Sequence, residues 1–81
     1  MLKIYGSMLC KDCVQCCDEL SNAGVAYDFL DFKDSLLYLK EFLALREDDV
    51  IFGPAKEVGA IGIPCIVDDA GNVSLEWNKY L

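Results

Sequence analysis

Residues 3–13, KIYGSMLCKDC, run from a short apolar stretch through a glycine and a loop into two cysteines three positions apart. With Leu2 added, LKIY reads as a buried strand of about four residues closed by Gly6. From Lys11 to Ala23, Cys13, Cys17, Leu20 and Ala23 recur at helical spacing with Cys16 beside them. Gln15, Asp18, Glu19 and Asn22 fall on the opposite side, and Gly24 supplies a C-terminal stop. Strand, loop and helix in this order place Cys10 at the N-terminus of the helix.

The same reading extends down the chain. VAYDFLDF, residues 25–32, has the alternation and aromatic content of a second strand. Asp34 or Ser35 can cap a second helix from Leu36 to Arg46, with Leu36, Leu39, Phe42 and Leu43 as one broad apolar face. EDDVIFGP, residues 47–54, breaks that pattern, and AKEVG, residues 55–59, looks like one short helical turn. IPCIV and NVSLEW flank DDAGN, a turn-forming sequence suited to a hairpin. The order is βαβ, a helix, then a β-hairpin, which predicts an α/β fold with a four-stranded mixed sheet and helices on both faces.

Length and charge bound the function. Eighty-one residues make a single domain, residues 1–81, with one core. Fourteen acidic against seven basic residues leave a net charge of −7, which repels phosphate backbones and anionic lipid. Nucleic acid and membrane are therefore not expected partners. MLKIYG lacks the long apolar core of a signal peptide, and no apolar run approaches the roughly 20 residues of a spanning helix, so a cytoplasmic protein is expected. Five cysteines, four of them in CKDCVQCC at residues 10–17, make a poor scaffold of structural disulfides. Histidine is absent, so any chemistry runs on sulfur and carboxylate.

A cysteine at a helix N-terminus meets unpaired N–H groups and the positive end of the helix dipole, both of which favour a thiolate. Cys10 occupies that position as the attacking thiol of thiol–disulfide exchange, and Cys13, one turn on, would resolve the mixed disulfide. Lys11 would lower the pKa of Cys10 and Asp12 would oppose it. With GIPCIV at residues 62–67, KIYGSMLCKDC resembles the glutaredoxin-like branch of the thioredoxin-fold superfamily, over roughly residues 1 to 77. The resemblance implies a thioredoxin-like βαβ-α-ββ fold and a dithiol oxidoreductase. It further implies a cis proline at Pro64 facing the cysteine pair, with the Ile63 backbone at the substrate; Lys11, beside Cys10, is a further candidate substrate-binding residue.

Expected partners are a disulfide-bearing protein or a low-molecular-weight thiol substrate, with a reductase or glutathione as electron donor and no tightly bound cofactor. The Gly-Gly and acidic motif and the final helix that hold glutathione in that family have no counterpart in SLEWNKYL, residues 74–81. Glutathione is accordingly a candidate without its usual site. A missing or shortened last helix leaves part of a sheet face open, consistent with a monomer or weak dimer.

The sulfur cluster has other readings. CKDCVQC resembles part of the ligand run of bacterial ferredoxins, with Cys65 as a distant fourth ligand, so an iron–sulfur or zinc protein is the alternative function. Against it, Cys13 and Cys16 would both have to turn from one helix toward one metal. Cys16 and Cys17 read as packing residues. Cys65 reads as core or as an additional redox thiol near Cys10. The EDDV run reads as a solvated loop, and Trp77, Phe52 and Tyr27 as packing groups.

Overall fold

The computed structural model describes residues 1–81. The elements are β1 (Leu2–Gly6), α1 (Lys11–Asn22), β2 (Tyr27–Asp31), α2 (Leu36–Asp48), α3 (Gly53–Glu57), β3 (Cys65–Val67) and β4 (Val73–Ser74). A 3₁₀ turn, Val50–Phe52, leads into α3, and a second, Trp77–Tyr80, follows β4. The sheet order is β2-β1-β3-β4, with β1 parallel to β2 and antiparallel to β3, and β4 antiparallel to β3. The fold is thus a thioredoxin-like α/β layout on a four-stranded mixed sheet, its last helix reduced to a 3₁₀ turn.

Strand alternation splits the core into two layers. Ile4 and Ile66 face α1 and pack with Cys16 and Leu20; Trp77 and Tyr80 close over the same cluster. Tyr5 and Cys65 face the other way and pack with Leu30, Phe42 and Phe52. The ring of Phe42 lies 5.3 Å from that of Phe32 and 5.8 Å, edge-on, from that of Phe52. Both sheet faces are therefore covered, and the single terminal turn does the work of a helix on the α1 side.

Local signals explain the element ends. α1 stops in a Schellman motif: Val25 N–H donates to the Leu20 carbonyl at 2.9 Å and Gly24 N–H to that of Ser21 at 3.1 Å. Gly24 takes the required positive φ of 72°. Ser35 caps α2 by accepting the Leu37 N–H. In the β3–β4 hairpin one Asp68 carboxyl oxygen accepts the N–H groups of both Ala70 and Asn72. These donors hold the Asp68 carboxyl below the usual carboxylate range, the Asn72 backbone first among them.

The face of α2 differs from the sequence expectation. Phe42 is its one buried residue, flanked by half-buried Tyr38, Leu39 and Leu45, while Leu36 is 80% and Leu43 50% exposed. At about 100° per residue, Leu43 and Leu36 lie about 100° and 120° around the helix from Phe42, whereas Tyr38, Leu39 and Leu45 lie within about 60°. The apolar positions of α2 exceed what one sheet face can bury, and periodicity alone does not say which subset wins. Asp31, the last residue of β2, is buried although charged.

Candidate functional site

The site is built where β1 ends. Gly6 terminates the strand, Ser7–Leu9 turn, and Cys10 is the N-cap residue of α1, with extended backbone and no side-chain capping bond. The turn is closed by Cys10 N–H to the Ser7 carbonyl at 3.0 Å and Leu9 N–H to Ser7 Oγ at 3.2 Å. One turn later, Val14 N–H bonds the Cys10 carbonyl at 3.1 Å. Cys10 thus sits where the helix leaves backbone donors unpaired. All five cysteines are free thiols, and Cys10 alone is not buried.

Cys13 is rolled toward the sheet by the helical spacing and lies wholly out of solvent. Its sulfur packs on Gly6 so closely that a Cβ there would stand 2.6 Å from Sγ. Burial pushes the Cys13 thiol up to about 12; the Ser7 backbone works against that shift, and the neighbouring Cys10 adds to it. The pair therefore comprises one accessible sulfur at a helix N-cap and one neutral, sheltered thiol beside it. Lys11 and Asp12 follow Cys10 as exposed residues of the first helical turn.

Pro64 follows a cis peptide bond from Ile63 and is buried. β1 and β3 pair with Tyr5 opposite Cys65, and continuing that antiparallel register by one residue sets Pro64 opposite Gly6. The sheet thus brings the proline beside the glycine on which the Cys13 sulfur rests. Ile63 is half-buried, and neither its N–H nor its carbonyl has a hydrogen-bond partner within the chain. The approach to this proline is fixed from α2. Arg46 Nε donates to the Ile61 carbonyl at 2.8 Å and a terminal guanidinium nitrogen to that of Ala60 at 2.9 Å. Gly62 then takes φ 92°, with the ring of Phe52 2.7 Å from where a Cβ would stand.

Two positioning residues escaped the sequence reading. Arg46, expected only as the end of a helix, is the chain's one arginine, and its planar fork reaches two carbonyls that a lysine ammonium would not span in the same way. Asp31, 4% exposed, accepts the Lys33 N–H at 3.0 Å and, at a longer 3.4 Å, that of Met8. It ties the loop carrying Cys10 to the loop after β2. The sequence signal for Asp31 was a carboxylate between two apolar residues, LDF, where burial requires donors.

The remaining sulfurs are placed elsewhere. Cys16 is fully buried with Ile4, Leu20 and Ile66, and burial pushes its thiol up to about 12. Cys17 is also buried and its thiol raised by burial; the Tyr27 hydroxyl donates to the Cys17 carbonyl at 3.3 Å and shares a 2.8 Å bond with Ser21. Cys65 lies on the α2 side of the sheet, opposite Cys13, in the cluster of Tyr5, Phe42 and Phe52. Burial, aided by Asp49, pushes its thiol up to about 12. The sheet itself separates Cys65 from Cys13, which is the arrangement of a core residue. No three His, Cys, Asp or Glu side chains are grouped so as to hold a metal ion. Phe52 is fully buried and Trp77 packs against the α1 cluster, as expected of packing groups.

A protein of Haemophilus influenzae described as an uncharacterized protein is 36% identical over 76 residues, a match covering 94% of this chain and 88% of that protein. The chain belongs to the family of that protein. No family model matches the chain, and no solved structure matches it significantly. No helix of the chain is long and apolar enough to cross a membrane.

Proposed function

We propose that the protein is a glutaredoxin-like thiol–disulfide oxidoreductase of the cytoplasm, acting without a tightly bound cofactor. The observation that carries this reading is the division of labour between two sulfurs: of five thiols only Cys10 is not buried, and it sits at a helix N-cap one turn before the sheltered Cys13. In the forward half-reaction the Cys10 thiolate attacks a substrate disulfide; a Cys10–substrate S–S bond forms, the substrate S–S bond breaks, and the departing thiolate takes up a proton. Cys13 then loses its proton and attacks the Cys10 sulfur, releasing the second substrate thiol and leaving a Cys10–Cys13 disulfide. Two electrons and two protons have passed to substrate, and a dithiol reductase or a pair of low-molecular-weight thiols such as glutathione returns them.

The surroundings suit these steps. The unpaired N–H and carbonyl of Ile63 offer an extended substrate segment antiparallel pairing beside Pro64. Lys11 adds a positive charge next to the attacking sulfur. Keeping Cys13 neutral while Cys10 attacks leaves one thiolate in the pair, and oxidation of Cys10 removes the charge that opposes ionisation of Cys13.

Cysteine replacement tests the reading. Cys10→Ser should abolish reduction of a small disulfide such as bis(2-hydroxyethyl) disulfide, whereas Cys13→Ser should accumulate a covalent adduct on Cys10, visible by mass spectrometry and lost on adding dithiothreitol. Undiminished activity of the Cys10→Ser protein would refute the mechanism.

A further inference from the structure

From the surface beside Cys10 we infer that the disulfide this site takes is carried by a protein segment that is apolar at its cysteine and cationic beyond it, rather than by an anionic tripeptide. The inference rests on the thiol–disulfide reading above and names its substrate class. A shallow groove of about 390 Å³ starts at the residues on either side of Cys10 and runs along the outer side of α1. Its apolar lining is Met8, Leu9 and Val14, which are 43%, 97% and 39% exposed. Leu9 immediately precedes the one accessible sulfur and sits in a turn tied by Leu9 N–H on Ser7 Oγ and Cys10 N–H on the Ser7 carbonyl. An almost fully exposed leucine next to a nucleophile costs the free protein solvation free energy that only an apolar contact recovers.

Charge selects among apolar occupants. Asp18 and Glu19 lie on the groove against the single cation Lys11, and Asp12 is exposed in the same helical turn as Lys11. The whole chain carries −7, so the field over the groove opposes an anionic ligand and draws in a cationic one. The chain's one arginine is engaged by the Ala60 and Ile61 carbonyls and is not free to receive substrate carboxylates. A segment long enough to cover the groove can at the same time pair with the open Ile63 backbone, which a compact thiol engages over one residue at most. The larger groove of about 460 Å³, between Leu45, Asp48 and Val73, lies at the hairpin end of the sheet, away from Cys10, and has no part in this.

Electron flow is that of the cysteine pair: the segment's S–S bond is broken, its two sulfurs leave as thiols, and Cys10 and Cys13 leave as a disulfide awaiting a thiol reductant. The test uses the full reduced chain and four probe disulfides: a peptide with leucine beside its cysteine and two lysines beyond, the same peptide with glutamates for lysines, oxidised glutathione, and neutral bis(2-hydroxyethyl) disulfide. The expected result is a kcat/KM for the lysine peptide about tenfold or more above that for the glutamate peptide and for oxidised glutathione, narrowing as salt is raised. The double variant Asp18→Lys, Glu19→Lys should invert the preference between the two peptides. The milder pair Asp18→Asn, Glu19→Gln, nearly the same in shape and safe for α1, should reduce it to about threefold or less. Equal rates on both peptides, faster reduction of oxidised glutathione, or a preference untouched by the neutral pair would overturn the inference. The neutral probe separates the layers: if the wild-type chain reduces it no faster than Cys10→Ser, the redox reading itself has failed, whatever the peptides do.

Discussion

Gly6 and Cys13 form the tightest side-chain-to-backbone approach at the site, and the glycine is there for the sulfur. Any Cβ at position 6 would meet Cys13 Sγ at 2.6 Å and the Phe29 ring at 3.4 Å, and Cys13 itself is fully buried. Gly6→Ala should cost about 1–3 kcal/mol of stability, as overpacking in a dense interior does. In a Cys13→Ala background most of that penalty should vanish, because the atom it clashes with is gone; urea unfolding of the four proteins of the cycle measures the coupling. Nothing in the sequence hinted at this contact. Gly6 was legible as a strand end and Cys13 as the second cysteine of a pair, but the closeness of a sulfur to the strand that precedes its helix is a distance through space, with no spacing to read. Cys10 was legible because its position rests on a boundary: apolar run, glycine, loop, then helical periodicity. Cys16 and Cys17 were legible as core from the same periodicity.

At the scale of elements, the loop from Gly59 to Ile63 carries the other half of the site, and α2 holds it. Arg46→Ala releases the Ala60 and Ile61 carbonyls while touching neither sulfur. The expected outcome is a KM for disulfide substrates raised about three- to tenfold, with the Cys10–Cys13 midpoint potential unchanged, since the guanidinium acts through the Ile63 backbone. Arg46→Lys should recover little, because one ammonium does not reproduce a two-pronged contact. Steady-state kinetics beside a redox titration checks both. Gly62→Ala should be worse for the fold: φ 92° is unfavourable for alanine and the new Cβ would sit 2.7 Å from the Phe52 ring. Here the sequence was informative about hinges and silent about tethers. The Gly-Ile-Pro triplet marked the turn, whereas Arg46, fifteen residues from Ile61, is linked to it only by the path of the chain. The misassigned face of α2 has a related cause. Leu36, Leu37 and Leu43 satisfy a hydrophobic pattern as well as the buried positions do, and only the location of Phe42 over the Phe32 and Phe52 rings decides the rotation of the helix.

Across the whole molecule, alternation of strand and helix specified the mixed sheet. What could not be read is that Trp77 and Tyr80, in four residues of 3₁₀ turn, close the α1 face. The consequence of building so small a core partly from sulfur is a stability that depends on alkali. Cys13, Cys16 and Cys65 are fully buried, and burial pushes each thiol up to about 12. In the unfolded chain they ionise near pH 8.5, about the ordinary cysteine value. Between those limits the unfolded state has released protons that the folded state still binds, so raising the pH favours unfolding; below about pH 8.5 the full stability remains. Each thiol removes about 1.4 kcal/mol per pH unit inside that window. Three together remove about 4 kcal/mol per unit, against a total of about 5–15 kcal/mol for a typical domain, so the reduced protein should unfold within two or three units above pH 8.5. Urea unfolding in reductant at pH 8, 9 and 10 measures the slope. Forming the Cys10–Cys13 disulfide takes Cys13 out of the titration, and the slope should then fall by about a third. A reduced protein whose stability is flat over this range would mean that the buried sulfurs ionise in place, and with it that Cys13 is not the sheltered partner that the mechanism requires.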